Sequence, residues 1–142
     1  MALRADQGQV FAVEKKDDAV ALLYENKQRF AADNLEIIKG EAPEALKELP
    51  VPTHAFIGGS SGNLKEIVAL LLEKNRDVRI VINCITLETI SEALEILKEY
   101  DFADQEAVQL TASRSKEIGR YHLMMGENPI YIITCQSPRA QI

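Results

Sequence analysis

Short apolar runs alternate along the chain with segments whose apolar residues have helical spacing. The apolar runs predict strands at residues 10–13, 35–38, 54–57, 78–84, 106–113 and 130–135. The intervening spacing predicts helices at 17–32, near 45–49, from 64 onward and at 86–100, with Thr86 as a cap at the start of the last one. Alternation of strand and helix is typical of a parallel α/β sheet. Because no helix is predicted in the polar stretch 114–129, the sheet is expected to end in an antiparallel, hairpin-like pair of strands.

The segment 54–64 organises this pattern, since it joins a buried strand to an amphipathic helix through a glycine-rich turn. Gly58, Gly59 and Gly62 lie in that turn. In open parallel sheets ligands bind at the carboxyl ends of the strands, where glycine lets the backbone approach them closely. A plain strand-to-helix connection, in which the glycines only relieve steric strain, explains the turn equally well when it is considered alone.

Two earlier strand ends carry residues of the same kind. Glu14 ends the first strand, and Gly40-Glu41-Ala42 follows the second. A carboxylate at such a position can accept hydrogen bonds from ribose hydroxyls. A single glutamate beside Lys15 and Lys16 is more commonly solvated or salt-bridged. The recurrence of suitable residues at three successive strand ends nevertheless favours a nucleoside-containing ligand.

Composition and charge narrow the class of protein. A chain of 142 residues suits one domain, 1–142, and its formal net charge of −6 argues against nucleic-acid binding. Cys84 and Cys135 lie far apart within apolar runs, which predicts free, buried thiols in a reducing compartment. No Cys/His spacing is typical of a metal site, and no apolar run is long enough for a bilayer. We therefore expect a cytoplasmic protein without a metal or membrane partner.

Several segments resemble the decarboxylating precorrin-6Y methyltransferase family of cobalamin biosynthesis, and together they span nearly the whole chain. The most specific are Phe56-Ile57-Gly58-Gly59-Ser60-Ser61-Gly62-Asn63-Leu64 and Asn83-Cys84-Ile85-Thr86-Leu87-Glu88-Thr89. The others are residues 10–15, 40–46, 113–114, 119–122 and 128–129. The resemblance implies an α/β, Rossmann-like class I methyltransferase sheet, mostly parallel with an antiparallel C-terminal strand. It also implies S-adenosylmethionine (SAM) as methyl donor and a precorrin tetrapyrrole as substrate.

The resemblance further implies roles for particular residues. The donor would be bound through its ribose by Glu14, around its adenine by Gly40, Glu41 and Ala42, and along its methionine by Gly58 and Gly59. The tetrapyrrole would contact Ser60, Asn83, Thr86, Arg114 and Tyr121. Arg114 suits the carboxylates of the macrocycle, although a surface role in solubility explains it equally well. No catalytic side chain is expected, because the sulfonium is already electrophilic; His122 as a proton carrier is the minor alternative.

The chain departs from the family at its N-terminal end. Class I methyltransferases place a strand and a glycine-rich donor loop about 20 residues before the acidic residue, whereas only thirteen residues precede Glu14 here. We therefore expect the usual first strand to be absent and SAM binding to be weakened. Open strand edges should favour a homo-oligomer, a rearranged sheet or a strand supplied from elsewhere. Two hypotheses follow: a methyltransferase that methylates and decarboxylates a precorrin, or a non-catalytic binding or assembly module with the methyltransferase fold.

Overall fold

Eight strands and three α-helices follow one another in a computed structural model that describes residues 1–59 and 62–138. In chain order they are β1 (Val10–Glu14), α1 (Asp17–Arg29), β2 (Leu35–Lys39), β3 (His54–Ile57), α2 (Leu64–Lys74), β4 (Arg79–Cys84), α3 (Leu87–Tyr100), β5 (Phe102–Leu110), β6 (Ser113–Ile118), β7 (Tyr121–Gly126) and β8 (Ile130–Pro138). The chain divides into two compact units, Met1–Pro50 and Val51–Ile142. The single domain expected over 1–142 stays a prediction.

The first unit contains a pair of parallel strands joined by a helix. β1 and β2 are in register from Val10 opposite Leu35 to Glu14 opposite Lys39. Acidic residues occupy the first turn of α1 and basic residues its last turn, which complements the helix dipole. The predicted alternation of strand, helix and strand is confirmed here, with the helix three residues shorter at its C-terminal end than the 17–32 expected.

The second unit contains a four-stranded sheet in the order β3-β4-β8-β5. β3 and β4 are parallel, and β8 runs antiparallel to both of its neighbours, β4 and β5. It follows that β3, β4 and β5 all run in one direction. The prediction of a mostly parallel sheet with an antiparallel C-terminal strand is confirmed, and the insertion of β8 between β4 and β5 is new.

Apart from Ala32, the buried apolar residues that the structure describes lie in the second unit, where α2 and α3 pack together and α3 packs on the sheet. Alternate residues of β4 are buried, as a strand with one core-facing side requires. Cys84 and Cys135 are both free and buried, which confirms the expectation from their apolar surroundings. Burial raises the pKa of the Cys135 thiol to about 11, and burial together with the charge of Glu92 raises that of Cys84. Both thiols are therefore protonated at neutral pH.

Within residues 1–59 and 62–138, every strand except β4 and β8 has one open edge. β1 pairs with β2 alone, and β3 pairs with β4 alone, within the part of the chain that the structure describes. Backbone amides and carbonyls along such an edge can pair with another strand.

The polar stretch 114–129, in which no helix or strand was predicted, contains most of a β-hairpin. β6 and β7 pair antiparallel, from Ser113 opposite Gly126 to Ile118 opposite Tyr121. Every residue of both strands is exposed, so neither strand has the alternation of buried and polar positions that marks a strand in sequence. The strand expected at 106–113 begins earlier and ends at Leu110 for the same reason, because all of β5 after Phe102 is exposed.

No helix in the two described ranges has the length and apolar character needed to cross a bilayer.

Candidate functional site

In the first unit, the carboxylate of Glu14 is held in place by the backbone that follows it. Its Oε1 atom accepts hydrogen bonds from the backbone amides of Lys15 and Lys16, both at 2.9 Å. These bonds orient the carboxylate and engage only one of its two oxygens. The other oxygen remains an acceptor at the carboxyl end of β1, as an interaction with a hydroxyl pair would require.

The neighbouring strand end supplies Gly40 and Glu41. The amide of Gly40 donates to the carbonyl of Glu14 at 3.0 Å, and Lys15 Nζ lies 2.8 Å from Glu41 Oε1. A Cβ atom on Gly40 would lie 2.8 Å from the Cβ of Ala45, which is closer than real Cβ atoms approach. Packing within this unit therefore requires glycine at residue 40. The structure thus brings Glu14, Gly40 and Glu41 together, and Ala42 follows directly, joined to Pro43 by a cis peptide bond.

In the second unit, the ends of β3 and β4 and the start of α3 enclose a shallow cavity of about 320 Å³. It is lined by Gly58, Gly59, Gly62, Asn83, Ile85, Glu88, Thr89 and Glu92. Three of the predicted site residues, Gly58, Gly59 and Asn83, therefore meet at one place. Their meeting follows from the parallel pairing of β3 and β4, which puts both carboxyl ends at one edge.

The glycines keep this cavity open. A Cβ atom on Gly59 or Gly62 would meet no atom of the described residues within 4 Å. Gly62 also has a φ of 86°, in the left-handed region that favours glycine. On Gly58 a Cβ would approach the ring of Phe56 to 3.2 Å. These residues provide a backbone surface that a ligand can approach closely.

Four of the lining residues were not predicted to bind a ligand: Ile85, Glu88, Thr89 and Glu92. The first three nevertheless belong to the segment 83–89 that carries the family resemblance. Glu88 and Glu92 are separated by one turn of α3, so they share a face of that helix. The four-residue spacing of Glu88 and Glu92 is visible in the sequence. A solvated helix face has the same spacing, so the sequence does not distinguish it from a binding site. Only the packing of α3 on β4 and its neighbours brings this face to the candidate site.

Thr86 has a structural role that the sequence also predicted. Its Oγ1 atom accepts a hydrogen bond from the amide of Thr89 at 3.2 Å, which caps α3 and confirms the expected helix start. Thr86 is not among the cavity-lining residues. Its role in binding substrate stays a prediction, and Ser60 lies outside the residues that the structure describes.

Arg114 and Tyr121 lie on the hairpin rather than along the cavity. The side chain of Arg114 is 84% exposed, with Nε 3.6 Å from Glu127 Oε1. The guanidinium carbon of Arg120 lies over the ring of Tyr121, 5.2 Å from the centroid of that ring. The structure does not bring these two residues to Asn83 or the glycines, and their predicted contact with substrate stays a prediction. His122 lies on the same strand as Tyr121 and is exposed.

Across residues 1–59 and 62–138, no group of three or more His, Cys, Asp or Glu residues is arranged to hold a metal ion.

Comparison with known proteins yields consistent matches. The family model for the precorrin methyltransferase domain matches residues 1–136. A Pyrobaculum calidifontis protein named as a probable cobalt-precorrin-6B C(15)-methyltransferase (decarboxylating) is 35% identical over 133 residues, covering 93% of this chain and 68% of the relative. The matched segment therefore includes all of the site residues described above.

Solved structures agree with the sequence matches. A precorrin-6y C5,15-methyltransferase from Geobacter metallireducens has a TM-score of 0.80 at 32% identity, covering 91% of this chain and 68% of the other. A protein from Methanobacterium thermoautotrophicum described as precorrin 8W decarboxylase has a TM-score of 0.80 at 33% identity, covering 89% and 69%. These similarities confirm the predicted α/β, Rossmann-like architecture.

Proposed function

Because this chain belongs to the precorrin methyltransferase family, we propose that it is a SAM-dependent methyltransferase of cobalamin biosynthesis that methylates and decarboxylates a precorrin tetrapyrrole. The structural observation that carries the proposal is the cavity in which the glycines after β3 meet Asn83 near the carboxyl end of β4. Ligands of open α/β sheets bind at such strand ends. Membership of the family supports SAM as the ligand of this cavity.

The residues present fit the methyl donor. When bound, SAM supplies an electrophilic methyl group on a sulfonium, so the protein has to bind, align and exclude water rather than provide a nucleophile. The oriented carboxylate of Glu14 suits two ribose hydroxyls, and Gly40, Glu41 and Ala42 are proposed to contact the adenine. Gly58 and Gly59 are proposed to contact the methionine, since a Cβ on Gly59 would enter open space.

The proposed contacts with the tetrapyrrole are Ser60, Asn83, Thr86, Arg114 and Tyr121. Asn83 has the strongest support, because it lines the cavity beside the two glycines. Arg114 is exposed and can pair with a carboxylate of the macrocycle. We place the protein in the cytoplasm, where its free thiols would remain reduced.

Calorimetric titration with S-adenosylhomocysteine (SAH), the product form of the donor, tests this proposal. We expect saturable binding with a Kd in the low-micromolar range, followed by methyl transfer to a precorrin substrate. AMP, which lacks the methionine, serves as the control and should bind more weakly. The measured Kd also tests the weakened donor binding predicted from the sequence.

A folded sample that gives neither heat nor a thermal shift with SAH would contradict the proposed enzyme. The non-catalytic binding or assembly module would then be the better description of this polypeptide.

We also propose that two or more copies of the chain associate through the hairpin β6–β7. One face of the hairpin carries exposed apolar side chains at Ile118 (49%), Tyr121 (59%), Leu123 (48%) and Met125 (48%). By register, Arg114 and Lys116 lie on the same face, opposite Met125 and Leu123, so the tetrapyrrole contacts proposed for Arg114 and Tyr121 would lie at this contact between copies. Exposed apolar groups at this density mark interaction surfaces, and a second copy can cover the face symmetrically.

Replacing Leu123 with aspartate is expected to shift the assembly toward monomer, because a charge would be buried in the apolar contact. Sedimentation velocity measures the change. His122→Asp is the matched control, since residue 122 lies on the opposite face of the same strand. A wild-type chain that sediments as a monomer, or equal effects of the two variants, would contradict the proposed interface.

A further inference from the structure

One side of the hairpin β6–β7 places a basic row of side chains beside an apolar row. Alternate residues of the two strands form this side, which we name the hairpin face: Arg114, Lys116, Ile118, Tyr121, Leu123 and Met125. Its two cations come from β6, and β7 contributes only aromatic and apolar groups. The face has no carboxylate of its own, because Glu117 lies on the opposite side by register.

The two cations differ in their surroundings. Nε of Arg114 lies 3.6 Å from Oε1 of Glu127, which follows the hairpin in the chain. Across residues 1–59 and 62–138, Lys116 forms no ion pair, and it is exposed like the rest of β6. The charge of Lys116 is therefore available to an anion from outside the described chain.

A contact between two copies through this face brings like charges together. Such a contact is symmetric, so each copy contributes its own Arg114 and Lys116 to the same interface. The apolar row favours the contact, whereas like charges placed against one another oppose it. A ligand with several carboxylates removes this opposition, because it neutralises the cations of both copies.

The proposed substrate has the matching chemistry. A tetrapyrrole of corrin synthesis combines an apolar macrocycle with many carboxylates. The aromatic ring of Tyr121 and the side chain of Leu123 suit the macrocycle, and the basic row beside them suits the carboxylates. The pattern of the hairpin face therefore fits a large amphipathic polyanion better than it fits a purely apolar partner.

We propose that Lys116 is a further substrate-binding residue, and that the tetrapyrrole binds where the hairpin faces of two copies meet. The inference rests on the proposed function, from which it takes both the substrate class and the contact between copies. Because the ligand contacts both copies, its binding and the association of the copies strengthen each other.

Uroporphyrin, a stable macrocycle with carboxylates around its rim, is the probe. Absorbance titration should show saturable binding, and coproporphyrin, which has fewer carboxylates, should bind more weakly. Sedimentation velocity at a fixed protein concentration should show more assembled chain with uroporphyrin than without it. High salt should weaken the binding of uroporphyrin, because exposed charges are screened.

Lys116→Gln separates a ligand contact from a purely structural role. It should weaken uroporphyrin binding about three- to tenfold and yet strengthen the association of the ligand-free chain, because repulsion across the contact falls. A purely structural role would weaken both. Lys116→Arg keeps the charge and should bind uroporphyrin as the wild type does. Lys98→Gln is the matched control, since Lys98 is exposed on α3 and its replacement removes the same charge.

Glu127→Gln should have the opposite effects. It removes the carboxylate that lies beside Arg114, so uroporphyrin should bind about twofold more tightly. The ligand-free copies should associate less, because the charge of Arg114 is then less compensated. Opposite signs from Lys116→Gln and Glu127→Gln are expected only if the basic row takes carboxylates from the ligand.

Two results would overturn the proposal. The first is a Lys116→Gln variant that matches Lys98→Gln in its affinity for uroporphyrin. The second is uroporphyrin that leaves the association of the wild type unchanged, since the ligand would then not lie between copies. The proposed function fails differently. A chain that binds no SAH is not the proposed enzyme, whereas one that binds SAH without either uroporphyrin effect loses only the shared substrate site.

Discussion

Replacing Glu14 with glutamine is expected to weaken SAH binding by about 10- to 100-fold, since hydrogen bonds to charged groups contribute roughly 1.5–3 kcal/mol. Glutamine has the same length, and its carbonyl oxygen can keep the bonds from the amides of Lys15 and Lys16. The replaced oxygen becomes an NH₂ group, which donates where a ribose hydroxyl pair needs an acceptor. The substitution thus changes the ligand contact while preserving the local backbone.

Calorimetry with SAH measures the effect, and circular dichroism verifies that the variant is folded. Glu25→Gln is the matched control, because Glu25 lies exposed on α1 in the same unit and its replacement removes the same charge. We expect this control to bind SAH as the wild type does. An affinity of Glu14→Gln within about threefold of wild type would contradict the assigned ribose contact.

Replacing Gly40 with alanine is expected to lower the free energy of unfolding by about 1–3 kcal/mol, the usual cost of overpacking. The new Cβ would lie 2.8 Å from the Cβ of Ala45, so the backbone of one of the two residues has to move. Such a shift would also disturb the bond from the Gly40 amide to the Glu14 carbonyl. Urea denaturation measures the loss of stability.

A second substitution isolates the steric cause. Ala45→Gly removes the other methyl group, so the double variant Gly40→Ala/Ala45→Gly should recover stability relative to the sum of the single effects. Gly8→Ala is the control, because a Cβ there would make only an ordinary contact at 3.4 Å from Ala5. Strictly additive effects in this cycle would show that the contact between residues 40 and 45 does not set the stability.

The half-buried strand β4 was predictable from sequence, whereas the fully exposed hairpin β6–β7 was not. β4 was evident because its β-branched residues are buried on alternate positions, and burial is what selects such residues. The hairpin β6–β7 was missed because both of its strands are exposed on every residue, so nothing in the described unit constrains their apolar pattern. Thr86 was recognised as a cap because capping depends only on residues three apart in the chain.

The features of the candidate site also fall into two groups, those that a local sequence pattern predicts and those that only the structure shows. Glu14, Gly40, Gly58 and Gly59 were singled out because they end or follow strands, which is a local feature of sequence, whereas Asn83 was implied by the resemblance to the family. By itself, then, the sequence determined the alternation of strand and helix, the residues at each strand end and the family. The tertiary structure alone decided that β8 enters between β4 and β5, and that Glu92 reaches Lys65. Pairing order and contacts between helices join residues distant in the chain, so their energies depend on packing rather than on any local pattern.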